Sequence, residues 1–143
     1  MFHMLKNISP LLSPELLKIL MEMGHGDEIV LGDGNFPAAS VAQRLVRADG
    51  HGVPALLDAI LNLFPLDTYA EFPAALMDNG DAANRPEIWE DYKCVISAHE
   101  GAKKIELVER FEFYERAKKA YAVVATGETA IYANIILKKG VVV

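Results

Sequence analysis

The chain has 143 residues, 52% hydrophobic and 24% charged, with a formal net charge of −6 at pH 7. That length fits one domain over residues 1–143, able to bury roughly 70% of its unfolded surface, and the acidic balance argues against a nucleic-acid partner, which needs clustered Lys and Arg. No apolar run approaches the ~18 residues of a membrane helix and "MFHMLKNISP" lacks the apolar core of an export signal, so the reading is a cytoplasmic protein that spans no membrane.

"SPELLKILMEMG" predicts the first helix. Ser13 caps it, Pro14 suits its first turn, and Leu16, Leu17, Leu20 and Met23 share one face, with Gly24 as a left-handed stop. "EIVLGD" follows as a short buried strand, and "GDGNFPAASVAQRLV" as a loop entering a short helix. "LVRAD" is either the end of that helix or a brief strand. "GVPALLDAILNLF" is a second strong helix ended by Pro65, "AALMD" a strand, and "NRPEIWEDYKCVISAHEG" a third helix holding Cys94, expected as a small buried thiol. The remainder alternates: strand "KIELVE", helix "RFEFYERAKKA", strand "YAVVATGE", and a last strand in "YANIILKKG". Helices alternating with short apolar strands imply an α/β fold with a mostly parallel sheet covered by helices. The apolar tail "KKGVVV" suggests a terminus packed on another subunit.

Several familiar sites are excluded. "GDGNFP" lacks the last glycine of a dinucleotide loop, there is no Walker loop, G-x-S-x-G or H-E-x-x-H, and one cysteine allows neither a disulfide nor a cysteine zinc cluster. His3, His51 and His99 lack ligand spacing with His25, so no metal site is expected.

His25, between two glycines in "EMGHGDEIVLGDGNFPA", has two readings. It is either a cap for the preceding helix end or a group able to exchange a proton near neutral pH, its charged form favoured by the helix end, Asp27 and Glu28. Asp33 closes the strand, where open α/β sheets bind ligands, or bonds its own turn backbone. Arg110 opens a helix and either meets a ligand or pairs with Glu109 or Glu112. Tyr132 and Asn134, in "YAN", place a phenol and an amide just before the last strand, or are simply core and turn residues. Carboxylate, guanidinium, amide and phenol together suit a polyhydroxylated ligand.

"LKNISPLLSPELLKILMEMGHGDEIVLGDGNFPA", "RFEFYERAKKAYAVVATGE" and "YANIILKKGV" together closely resemble the RbsD/FucU family of sugar mutarotases. The resemblance runs from about Met4 to Val142 and is weakest over 77–100. Met4 matches the more usual start, with Met1-Phe2-His3 an upstream extension. The resemblance implies a three-layer domain with helices on both faces of the sheet and His25 as proton donor. It further implies sugar contacts from Asp33, Arg110, Tyr132, Ala133 and Asn134. Arg110 within "RFEFYERA" points to the fucose mutarotase branch, since the ribose pyranase branch carries His there. No cofactor or metal is implied. The resemblance also implies the partners: a monosaccharide, L-fucose first, and other copies of the chain, as a homodecamer of two pentameric rings. The alternatives are pyranose/furanose exchange of ribose, or a non-catalytic sugar-binding subunit accessory to transport. One geometric difficulty stands: a straight strand would separate His25 from Asp33 by roughly 25 Å. Either the chain folds back around Gly32, or the two residues serve different copies of the site; a site shared between neighbouring subunits is preferred.

Overall fold

The computed structural model describes residues 4–143. Met1, Phe2 and His3, read above as an upstream extension, lie outside them. In chain order the elements are α1 (Pro14–Glu22), β1 (Glu28–Gly32), α2 (Ala38–Val41), β2 (Leu45–Ala48), α3 (Val53–Leu61), β3 (Ala74–Met77), α4 (Ile88–Glu100), β4 (Ile105–Val108), α5 (Arg110–Lys119), β5 (Ala122–Thr126) and β6 (Ile135–Lys138). The ambiguous "LVRAD" is thus a strand. Its side chains alternate between exposed and buried, a period that suits a sheet edge and not a helix.

The strands form one sheet in the order β2-β5-β1-β6-β3-β4. β5 runs parallel to β1 and β2, and β4 runs parallel to β3. β6 lies antiparallel between β1 and β3. It therefore begins at the rim where its neighbours end.

Helices cover both faces, and the strands show why. Ile29 and Leu31 of β1, with Ile135 and Leu137 of β6, enter one cluster with Leu16 and Leu20 of α1, Leu57 and Ile60 of α3, and Trp89, Tyr92 and Ile96 of α4. Val30, Val123 and Ile136 point the other way, against Ala38 of α2 and Phe113 and Ala117 of α5. A strand buried on both faces reads as an unbroken apolar run, as "IVL" and "IIL" do. Each fully buried Leu or Ile contributes about 1.5–3 kcal/mol, so this double burial is what orients β1 and β6.

Two local expectations are corrected. Gly24 is not a left-handed stop: α1 ends with Met23 in extended backbone. The left-handed glycine of this turn is Gly26, at φ 87°. The Asp27 carboxylate accepts the Gly24 N–H at 2.7 Å, which ends the helix by side chain instead. Cys94 is exposed, because α4 buries Trp89, Tyr92 and Ile96, which leaves Cys94 off its inner face. No described helix is long and apolar enough to cross a membrane.

Candidate active site

The rim formed by the C-terminal ends of β1, β3 and β5 and the start of β6 gathers most of the predicted residues. Gly32 closes β1 because a Cβ there would lie 2.8 Å from the Phe36 side chain. Asp33 comes next and is 5% exposed. Its Oδ1 accepts the Asn35 N–H at 3.0 Å and its Oδ2 accepts the Ala133 N–H at 3.2 Å. Its own N–H donates to Asn134 Oδ1 at 2.7 Å, across 101 residues of chain. The antiparallel direction of β6 makes this possible, since it delivers the segment before its first residue to the end of β1. Each carboxylate oxygen of Asp33 spends one acceptor position on the backbone and keeps further lone pairs for a ligand.

The segment before β6 is held from below. Trp89 Nε1 donates to the Tyr132 carbonyl at 2.8 Å, and the Tyr92 hydroxyl donates to the Ala133 carbonyl at 2.7 Å. Tyr132 has φ 51°, a left-handed conformation that costs a bulky residue about 1–2 kcal/mol. The Trp89 and Tyr92 bonds, with the Asp33 carboxylate on Ala133, hold it there. Burial, then the charges of Glu128 and Asp33, push the Tyr92 hydroxyl above the ordinary tyrosine range, so it stays protonated as a donor. Asn134 Nδ2 faces Met77 Sδ at 3.7 Å, a weak acceptor.

Arg110 opens α5, where Glu109 caps the helix by accepting the N–H groups of Phe111 and Glu112 at 3.0 and 3.1 Å. With Glu109 so used, Arg110 has no ion-pair partner among the described residues. Its Nε donates to the Tyr114 hydroxyl one turn on, at 3.1 Å, and that bond holds the guanidinium above its ordinary pKa. Asp33, Arg110, Tyr132 and Asn134 line one cavity of about 210 Å³, walled by Phe36, Met77 and Tyr114. Ala133 is not on the wall; it is fully buried and contributes its N–H to Asp33. Ile131 also lines the cavity, and it and Phe111 stand 65% and 64% exposed.

His25 is not among these residues. It precedes β1, at the opposite rim, and the five steps from Glu28 to Asp33 alone span roughly 17 Å. The chain does not fold back around Gly32. The His25 imidazole, 46% exposed, bonds through Nε2 to Asp67 Oδ1 at 3.0 Å. The acids next to it in sequence are engaged elsewhere: Asp27 on the Gly24 N–H, Glu28 on Arg116 at 2.7 Å. A larger cleft of about 720 Å³ at this rim contains Glu28, Glu106, Arg116 and Lys138. Those four charges pair with one another: Arg116 with Glu28 and Glu106, and Lys138 with Glu28. Among the described residues no group of three or more His, Cys, Asp or Glu is placed to hold a metal ion.

Sequence reasoning missed Asp67, Tyr69, Phe36, Tyr114 and Met77. Tyr114 had a signal, its i,i+4 spacing from Arg110. Asp67 had none, being 42 residues from its partner.

A model of the RbsD / FucU transport protein family matches residues 6–142. The chain is 54% identical over 144 residues to the fucose mutarotase of Homo sapiens, covering 96% of this chain and 94% of that protein. It is 55% identical over 141 residues to the L-fucose mutarotase of Actinobacillus pleuropneumoniae serotype 5b, covering 96% and 97%. The crystal structure of the fucose mutarotase of Streptococcus pneumoniae in complex with L-fucose superposes with a TM-score of 0.93 at 55% identity, covering 97% of this chain and all of that one (100%).

Proposed function

The chain belongs to the RbsD/FucU family, and we propose that it is an isomerase, an L-fucose mutarotase interconverting the α and β anomers of L-fucopyranose. The observation that carries this reading is the convergence of Asp33, Arg110, Tyr132 and Asn134, from three separate stretches of chain, on one cavity.

Anomer exchange requires the pyranose to open. A proton reaches the endocyclic oxygen as its bond to C1 breaks, and the anomeric hydroxyl gives its proton to water as the aldehyde forms. The aldehyde end turns and the ring closes on its other face with the transfers reversed. In this reading His25 supplies and recovers the ring-oxygen proton, a contribution of roughly 10²–10⁴-fold. Asp33, Arg110 and Asn134 hold hydroxyls away from C1, the Ala133 backbone fixes Asp33, and Tyr132 lines the sugar. Because His25 and the cavity lie at opposite rims of the sheet, the site is completed by His25 of a neighbouring copy. The exposed Ile131 and Phe111 beside the cavity and the exposed tail Val141–Val143 support such packing. The assembly we propose is a decamer of two pentameric rings, each chain acting as one domain over residues 1–143 in the cytoplasm.

Saturation-transfer NMR between sugar anomers tests this. Purified protein should accelerate exchange of L-fucose, and His25→Gln should lose most of the acceleration while still binding sugar. Exchange of D-ribose forms without L-fucose exchange refutes the assignment in favour of a pyranase. Binding without any exchange leaves a sugar-binding subunit.

A further inference from the structure

The loop after α3 brings a buried carboxylate against His25. Asp67 is 6% exposed, and its own N–H donates to the Lys138 carbonyl at 3.0 Å, which ties the loop to the end of β6. One oxygen, Oδ1, accepts twice: from the Tyr69 N–H at 3.0 Å and from His25 Nε2 at 3.0 Å. Burial pushes the Asp67 carboxyl up, but the Tyr69 N–H, His25 and Lys138 outweigh it and hold the group below the ordinary carboxylate range. Asp67 is therefore ionised at neutral pH, and an ionised carboxylate can only accept hydrogen bonds. The nitrogen facing it must carry a hydrogen whether the imidazole is neutral or charged. Of the two ring nitrogens, only Nδ1 is left to change its protonation.

The ring's surroundings agree. It is 46% exposed, and the Tyr69 ring stands 5.5 Å away at an interplanar angle of 56°. The imidazole is gripped at one nitrogen and flanked by an aromatic, with the remaining edge available to something outside the chain.

We propose that Asp67 is a positioning residue that keeps His25 protonated at Nε2 and makes Nδ1 the atom that exchanges a proton with the sugar. This deepens, and rests on, the acid/base reading of His25. On ring opening the imidazolium Nδ1–H proton passes to the endocyclic oxygen as the bond to C1 breaks. The anomeric O–H proton passes to water, and its bonding pair becomes the carbonyl π bond. Closure reverses both transfers, and His25 ends as it began. Nε2 keeps its hydrogen throughout.

Asp67→Asn in the full, assembled protein is the test. The amide matches the carboxylate in size, and its oxygen can still accept the Tyr69 N–H. It removes the charge; because Oδ1 takes both the Tyr69 and the His25 hydrogens, an amide oxygen in that place keeps hydrogen on Nε2 without balancing the imidazolium, and an amide turned to put its NH2 there releases Nε2 from carrying one. Exchange turnover of L-fucose should fall roughly 10–10³-fold with KM unchanged, because a group oriented behind the acid/base acts on the transition state and not on sugar affinity. Asp67→Glu, which keeps the charge, should recover part of the loss. Nitrogen-15 spectra of histidine-labelled protein, with the His25 signals identified by their loss in His25→Gln, should show the neutral ring protonated at Nε2 in the native protein. A mixture of tautomers is expected in Asp67→Asn. A native spectrum with the hydrogen on Nδ1 overturns the proposal, and that measurement stands even if Asp67→Asn fails to assemble. Unchanged turnover in Asp67→Asn, with turnover lost in His25→Gln, also overturns it. Full turnover in His25→Gln overturns the acid/base reading itself, and this inference with it.

Discussion

Replacing Asp33 with Asn separates the two tasks assigned to that side chain. Its two oxygens each accept a backbone N–H, from Asn35 at 3.0 Å and from Ala133 at 3.2 Å. An amide has one oxygen and one donor group, so one of those N–H groups must face a donor. If it is Ala133, which is fully buried, the unsatisfied group costs about 1–3 kcal/mol. For a domain of this size that lowers Tm by roughly 3–10 °C. The second effect is on sugar. Loss of a charged acceptor of hydroxyl hydrogens weakens binding by about 1.5–3 kcal/mol, or roughly 10–150-fold in KM. Thermal unfolding reads the first and saturation-transfer NMR at varied L-fucose reads the second. A lowered Tm with unchanged KM would refute Asp33 as a sugar contact and leave it a loop clamp. Unchanged values of both would refute the hydrogen-bond reasoning altogether.

Tyr92→Phe removes the donor to the buried Ala133 carbonyl beneath the strained Tyr132 turn; stability should fall by about 1–3 kcal/mol, with a smaller loss in kcat/KM, and native thermal unfolding in the variant would show the bond to be idle. Acid stability should depend on Asp67. Its folded pKa lies below the ordinary 3.8, so its stabilisation is full above that value and is lost as pH falls through the lower folded one. Urea unfolding below about pH 4 should therefore be less pH-dependent in Asp67→Asn than in the native protein, and identical slopes would contradict the sign worked here.

How much of this was legible depended on whether the signal was local. Ser13-Pro14 at the head of α1 marks a helix start through its own backbone chemistry, and the structure has a helix there. The runs "IVL" and "IIL" revealed doubly buried strands but not their direction, since an apolar run reads the same either way. The reversal of β6 decides where Tyr132, Ala133 and Asn134 sit. Asp33 was visible as a strand-end carboxylate; its turn reading holds, through the Asn35 N–H, and the same side chain lines the cavity. The helix-end role considered for His25 gave way to Asp67. That pairing joins distant segments through tertiary folding, and no spacing rule reaches it. Cys94 went astray because a helix of mixed polarity conceals which side faces inward.

The placement of His25 and the Asp33 cavity at opposite rims of one sheet has a genetic corollary. On the proposed shared site, two copies would meet edge to edge, each chain lending one half of a centre and borrowing the other. Damage to the imidazole in one chain and to the carboxylate in another would then not compound, because a mixed assembly would contain some centres built from two sound halves. Inheritance of such defects would follow the pairing of neighbours, not the fate of single molecules.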